Sequence, residues 1–398
     1  MRVVTHEHMD SIAAPAWNAV AGTTNPFLRH AFFAALEHQH CVGAGTMWQP
    51  HYLAAYEGDV LAGVLPMFIK HDSFGEFVFD WSWAQAYESS GRRYYPKLVV
   101  AVPFTPVTGR RLLVNETSAQ RDHVASMLVD AARELASRAG LSSLHFLFTD
   151  AADSRLLSHR DDLVERIGYQ YHWYNPGYRD FNDFLNAFTS KKRKNVLRDR
   201  RLIREAGVEI DVLTGAQITG SLWNTYYGFY ASTMRRKGNI NALSAEFFHE
   251  IGEKLPENIM LVMARQNREY VGGAFFMHDA DSLYGRYWGC NRAIPGLHFE
   301  VCYYRPIEFC IERGLQRFEA GAQGEHKIDR GFVPVETRSA HWIADPAGRA
   351  MIEDFVGHER RVIASHIEHA SALTPYKRDR SSCASTSIAS AGRRSLAG

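Results

Sequence analysis

The 398-residue sequence has almost no net charge: 45 Lys and Arg stand against 44 Asp and Glu. A chain so balanced has no surface-wide field for holding nucleic acid, so a DNA partner is not expected and any polyanion contact must come from a local patch. Cysteine is scarce too. Its five residues (Cys41, Cys290, Cys302, Cys310, Cys383) are odd in number and form no CxxC pair. That argues against a disulfide framework and fits reduced thiols. No apolar run approaches the ~18 residues of a membrane span; Leu98–Phe104 is among the longer ones and is strand-sized. Met1–Gly22 lacks an apolar segment behind a basic start, so no secretory signal is expected and the protein is read as cytoplasmic. HExxH and GxSxG are both missing, which removes two familiar routes to hydrolysis. His298 and Glu300 form an HxE pair without the PCxxC of zinc deaminases, and no metal is expected.

What is present is ordinary globular material, 46% apolar and 22% charged, long enough for two domains at roughly 150 residues each. From Thr374 onward the chain turns basic and Ser-rich, with Lys377, Arg378, Arg380, Arg393 and Arg394 against Asp379. Residues 374–398 are therefore expected to be a disordered tail. The body carries an internal echo. Tyr52–Ala55, a polar turn and Val60–Val64 resemble Met260–Ala264, a polar turn and Tyr270–Ala274, with Gly63 and Gly272 early in the second strand. Helical patterns precede both hairpins: Asn25–Gln39 before the first, Thr219–Arg236 and Ser244–Leu255 before the second. Further strand, helix and strand follow each. In the first half these are a strand at Glu76–Phe79, helices at Ser118–Ala139 and Asp153–Ile167, and strands at Ser143–Phe148 and Tyr169–Tyr174. In the second they are strands at Ser282–Gly289, Arg317–Gly321 and Val335–Ile343, and helices at His298–Arg313 and Ala347–Ala370. Duplication of one module predicts an α/β protein of two tandem domains, 1–178 and 179–373, with mixed, mostly antiparallel sheets flanked by helices, and the order of elements resembles that of the GNAT acyltransferase fold, so the domains are expected to be GNAT-like.

Three segments carry chemistry. Tyr284–Cys290, Leu297–Tyr304 and Phe318–Lys327 place Arg286, Trp288, His298, Glu300, Tyr303, Tyr304, Glu319, Gln323, Glu325, His326 and Lys327 at strand ends and a helix start. Ligands of α/β sheets usually bind there. Trp288 and the tyrosines equally suit packing with a polar tip. Acid–base work on a bound amine fits the residue types: Glu300, His298 or Glu319 as base, Tyr303 or Tyr304 as acid, Arg286 and Lys327 as charge stabilisers. Trp288, Gln323, Glu325 and His326 complete a substrate wall. Thr189–Glu205 holds eight basic residues, among them Lys191, Lys192, Arg193, Lys194 and Arg198, against Asp199 and Glu205. It reads either as a solvated helix face or as a phosphate-holding surface. Asp80, Trp81 and Trp83 lie in a first-half aromatic stretch that is either interdomain packing or a cleft wall, and a buried Asp80 calls for Arg93 or Lys97 as partner.

Asn25-Pro-Phe-Leu, Phe79-Asp-Trp-Ser-Trp-Ala84, Tyr94-Tyr-Pro-Lys-Leu98, Pro103-Phe-Thr-Pro-Val-Thr-Gly109, Gly285-Arg-Tyr-Trp-Gly289, His298-Phe-Glu-Val-Cys-Tyr-Tyr304 and Glu319-Ala-Gly-Ala-Gln-Gly-Glu-His-Lys327 resemble the FemAB-like peptidoglycan biosynthesis/recognition family of the GNAT superfamily. The resemblance runs from about Trp17 to about His366. It implies transfer of an acyl or aminoacyl group to an amine, on a small molecule or a cell-wall precursor. The donor it implies is an acyl-CoA, an acyl-carrier protein or an aminoacyl-tRNA, the last two meeting the basic helix. Where GNAT enzymes have a glycine-rich pyrophosphate loop this chain has Cys290-Asn-Arg-Ala-Ile-Pro-Gly-Leu297, and no helical arm like that of some Fem ligases is evident. Two other readings stay open: a non-catalytic binder of cell-wall precursors or another phosphorylated ligand, and a tRNA-dependent peptide ligase.

Overall fold

The two hairpins form where the sequence places them and share one irregularity. In the structure, a computed structural model, residues 1–377 are described except Asn239, Ile240 and Gln323. The candidate Gln323, and 378–398 of the expected tail, lie outside the described residues. The first half runs β1 (Arg2–His6), α1 (Ala14–Ala21), α2 (His30–His38), β2 (Trp48–Pro50), β3 (Tyr52–Glu57), β4 (Val60–Leu65), β5 (Met67–Lys70) and α3 (Trp81–Ser89). It continues with β6 (Lys97–Val100), β7 (Leu113–Val114), α4 (Arg121–Arg138), β8 (Ser143–Leu147), α5 (Ala151–Ser158) and β9 (Val164–Tyr174). The second half runs α6 (Phe181–Asn186), α7 (Ser190–Glu205), β10 (Val208–Thr214), α8 (Gly220–Arg236), α9 (Ala245–Lys254), β11 (Ile259–Gln266), β12 (Glu269–His278) and β13 (Ser282–Cys290). Then come α10 (Leu297–Phe299), one π-helical turn (Glu300–Tyr304), α11 (Arg305–Arg313), β14 (Arg317–Glu319), β15 (Val333–Ile343) and α12 (Pro346–Ala372).

Ala55 lies opposite Gly63 and Ala264 opposite Gly272, and each ladder shifts register at the following residue, as a β-bulge does. The echo is thus structural. The halves part company one step later. Pro66 has no N–H for a ladder, so the first-half strand breaks there: β4 stays in a four-stranded sheet (β1-β3-β4-β7) while β5 crosses to an eleven-stranded one. In the second half β12 runs unbroken, with a register shift between Phe275 and Phe276.

The large sheet has the order β10-β11-β12-β13-β14-β9-β15-β8-β6-β5-β2. Each half ends in a parallel pair, β6 with β8 and β13 with β14. The next strand of each half then joins the other half: β9 pairs with β14, β15 with β8, and β9 with β15 over nine residues from each strand. The halves have exchanged their last strands. Equivalent helices also meet, α2 against α9, with Phe32 and Phe247 edge-on at 5.7 Å. The core around them takes Trp17, Phe33 and Tyr52 from one half and Trp223, Phe248 and Phe275 from the other. Burial of such aromatic side chains is the dominant favourable term holding the halves together.

Local rules set the helix ends. Ser244 caps α9 by accepting from Phe247 N, and Asp345 caps α12 ahead of Pro346. α8 lies directly on β13 because residue 289 is glycine: a Cβ there would sit 2.1 Å from the Phe229 carbonyl oxygen. Two expected elements need correction. Glu76–Phe79 is irregular, not a strand; Phe77 sits at φ 60° and Glu76 is drawn inward by Lys97. The helix expected over Asp153–Ile167 stops at Ser158, and after the polar turn His159–Asp162 the alternating Val164–Tyr174 forms β9.

Candidate functional site

The second-half parallel pair holds together only where Ser282–Tyr284 meets Arg317–Glu319. Beyond it β13 and the segment after β14 diverge, leaving a small wedge. Gly285, Trp288, His298, Cys302, Tyr303 and Ala320 line it, with a volume of about 70 Å³. The wedge is narrow because Trp288 stacks on His298, ring centres 4.5 Å apart. The His298 ring also lies 5.3 Å from Tyr303 and 5.6 Å from His326. The Tyr303 hydroxyl is 2.8 Å from His326 Nε2. Burial, followed by the nearby His326 and Arg330, pushes His298 down to about 3, so its ring is neutral. The π-helical turn widens the backbone where Cys302 and Tyr303 face the wedge; such turns recur at functional sites.

Lys327 is the most unusual side chain here. It is 1% exposed, donates from Nζ to the Gly321 carbonyl at 2.6 Å, and has no carboxylate partner among the described residues. Burial pushes it down to about 7. An amine with that property is available as a proton acceptor near neutrality. The sequence singled Lys327 out as a fixed charge, and its burial gives it a different capacity.

The polar groups expected in one crevice divide over three places. His298, Trp288 and Tyr303 line the wedge, His326 meets the Tyr303 hydroxyl beside it, and Lys327, outside the lining, is buried against the Gly321 carbonyl. Arg286 lines the wedge but sends its guanidinium to the first half, on the side of the sheet where Glu319 also lies. There Glu319 is buried 3.1 Å from Arg317 Nε and 3.9 Å from His172 Nε2, with neither carboxylate oxygen in an aligned hydrogen bond. Burial pushes it up to about 7, although Arg317 opposes the shift. Arg286 donates to the Phe104 carbonyl and to Thr105 Oγ1 of the first half. Glu300 and Tyr304 turn toward α7. Glu300 meets Arg200 and Arg305, each at 3.0 Å, and Tyr304 donates to Asp199 at 2.9 Å, which also faces Arg330 at 3.4 Å. They anchor α7 beside the wedge. Arg330 was not anticipated, and only its position three residues after Lys327 in a turn of 3₁₀-helix (Glu325–Arg330) gave a clue.

On α7, Lys191, Lys194 and Arg198 are exposed. Lys192 pairs with Asp329, and Arg193 reaches Asn186 at 3.1 Å. Glu325 is exposed and His326 sits at the wedge rim. In the first half Asp80 finds Lys97, one of its two expected partners, at 2.5 Å, with Tyr94 at 2.6 Å and Glu76 on the same ammonium at 2.9 Å. Trp81 is 57% exposed, whereas Trp83 is buried under the Arg166 guanidinium and edge-on to His341. Among the described residues no group of three or more His, Cys, Asp or Glu is placed to hold a metal. Nor is any helix there long and apolar enough to cross a membrane.

Residues 8–378 match the FemAB-like family, described as peptidoglycan biosynthesis/recognition. Among solved structures, the crystal structure of FemX superposes with a TM-score of 0.51 at 12% identity, covering 89% of this chain and 100% of that one. A conserved protein of unknown function from Bacteroides thetaiotaomicron superposes with a TM-score of 0.52 at 8% identity, covering 86% and 100%. At such identities the likeness is one of fold. No curated protein matches the sequence.

Proposed function

The chain belongs to the FemAB-like family of the GNAT superfamily, and from that premise we propose that it joins an activated acyl or aminoacyl group to an amine in the wedge between β13 and β14. The observation that carries this reading is Lys327: a buried amine without a carboxylate, pushed down to about 7, where a parallel strand pair opens. The acceptor nitrogen attacks the thioester or ester carbonyl. Lys327 Nζ takes the proton that the nitrogen loses, and returns it to the departing sulfur or oxygen as the C–S or C–O bond breaks. With a thioester donor Tyr303 is ill-suited to that return, since burial pushes its phenol upward and a thiolate is too weak a base to take its proton. It serves as a hydrogen-bond donor held by His326. Backbone N–H groups freed where the strands part would stabilise the oxyanion.

A wedge of about 70 Å³ admits no acyl arm until the Trp288–His298 stack opens. The same closure favours a second reading, a non-catalytic binder of cell-wall precursors. Lys191, Lys194 and Arg198, on the helix that borders the wedge, suit the phosphates of a donor: an acyl-CoA, an acyl-carrier protein or an aminoacyl-tRNA. The acceptor is an amine-bearing small molecule or cell-wall precursor, and the setting is the cytoplasm. The test is mass spectrometry of ligands retained on purification, followed by the three donor classes with and without Lys327→Met. Transfer reduced about 10²- to 10⁴-fold by the substitution is expected. Unchanged turnover removes Lys327 from the mechanism, and no turnover with any donor favours the binder.

A further inference from the structure

Acyl transfer at the wedge needs a donor, and the helix start beside the wedge is already occupied by its own backbone. Pro295 carries no N–H, and the amides of Leu297, Phe299 and Glu300 donate to the Ile294 and Gly296 carbonyls. A free nucleotide carrier would seek such amides for its pyrophosphate. Here the turn ahead of α10 uses them itself, which turns attention to the neighbouring helix.

α7 borders that turn. Gly296 is left-handed at φ 85°, and a Cβ on it would stand 3.2 Å from the Asp199 carbonyl oxygen of α7. Val196, Asp199 and Ile203 are buried and fix the face that α7 turns inward. Its outward face carries Lys191, Lys194, Arg198 and Arg201, all exposed. Lys194, Leu197, Arg198 and Arg201 follow at i, i+3, i+4 and i+7, so they are neighbours on the helix surface. Glu205, the last residue of α7 and its one exposed carboxylate, lies 3.5 Å from Arg201.

Two leucines interrupt this basic face. Leu197 is 48% exposed and Leu202 37%. Leucine offers nothing to a phosphate, and α7 has no aromatic residue on which an RNA base could stack. A lipid surface fits no better: the apolar stripe that a membrane-lying helix inserts is, in α7, committed to the core. Cations set around isolated leucines complement a protein surface that has carboxylates around an apolar patch.

Among activated acyl donors, a carrier protein is the one that brings a protein surface with it. We propose that the outward face of α7 docks an acidic carrier protein, which presents the acyl group to the wedge as a thioester on a flexible prosthetic arm. This rests on acyl transfer at the wedge and names its donor. The carbonyl carbon exchanges its C–S bond for a C–N bond to the acceptor amine, and the carrier leaves as the free thiol with the proton that the nitrogen lost.

Fluorescence anisotropy of labelled holo-acyl-carrier protein titrated with the full chain tests this, with unfractionated tRNA and phosphatidylglycerol vesicles as the other occupants. Saturable binding of the carrier protein is expected, weakening as salt is raised. Lys194→Glu with Arg198→Glu weakens it about ten-fold or more. Leu197→Ala with Leu202→Ala changes no charge and weakens it about ten-fold, while leaving the response to tRNA as it was. All four are surface positions, and an unchanged Tm verifies that both variants fold. Lys327→Met binds the carrier protein as the native chain does. Carrier binding without turnover therefore upholds the docking face and removes the transfer step, whereas turnover of an acyl-CoA without carrier binding overturns the docking face alone. Absence of carrier binding at low salt, carrier binding indifferent to the leucine pair, or tighter binding of tRNA or vesicles to the same face overturns the proposal.

Discussion

Lys97 in the first half and Lys327 in the second are both buried near a parallel strand pair, and the two have opposite electrostatics. Lys97 on β6 meets Asp80 at 2.5 Å and Glu76 at 2.9 Å, and those carboxylates hold its ammonium charged despite complete burial, raising it above its usual value. Lys327 meets one backbone carbonyl and is pushed down to about 7. Burial is nearly the same in the two. The number of carboxylates within reach decides whether a buried lysine is a structural cation or an amine that trades protons.

Exchanging each lysine for methionine sharpens the contrast most. Lys97→Met strands two buried carboxyl groups and is expected to cost about 3–5 kcal/mol, read as a large drop in Tm. Lys327→Met removes an uncompensated amine and is expected to leave Tm unchanged or raised while slowing transfer about 10²- to 10⁴-fold. Equal losses of stability would break the comparison.

Stability against pH gives the next effect. Lys327 is lowered from 10.5 to about 7 in the fold, so between those values the unfolded chain binds more protons than the folded one. Its contribution therefore rises with pH across that window, by up to about 1.4 kcal/mol per pH unit. Denaturant titrations from pH 7 to 10 should show the slope in the native chain and its loss in Lys327→Met. Glu319 has the opposite sign. Raised from 4.5 to about 7, it keeps its proton longer in the fold, so its contribution falls as pH rises from 4.5 to 7. Glu319→Gln should flatten that fall, and an unchanged profile would show that Glu319 ionises normally.

Smaller effects follow from the contacts that seat α7. Tyr304→Phe deletes the hydrogen bond to Asp199 and should cost about 1–2 kcal/mol. Lys191→Glu with Lys194→Glu, both on the exposed face, should change Tm very little while weakening an anionic donor in a salt-dependent way.

The repeated hairpins and the helix order were legible because period-two and period-3.6 patterns are local properties. Gly63 and Gly272 marked the matching bulges for the same reason. The exchange of β9 and β15 was not legible: an apolar alternating strand records which face is buried and not which neighbour it joins. Spacing also misled at the site. His298, Glu300 and Tyr304 lie within seven residues but point to different sides of their helix, so the wedge keeps His298 and α7 takes the other two. The sequence put Glu325-His-Lys327 at the site with the lysine as a charge stabiliser, and only the packing around Gly321 and Cys302 buries that lysine.

The central claim is that Lys327 titrates near neutrality. An NMR titration of the lysine side-chain amines, with Lys327 assigned by its loss in Lys327→Met, measures this directly. The account predicts a midpoint near 7 for Lys327 while Lys97 stays protonated well into the alkaline range; a Lys327 midpoint at the ordinary lysine value near 10.5 would contradict it.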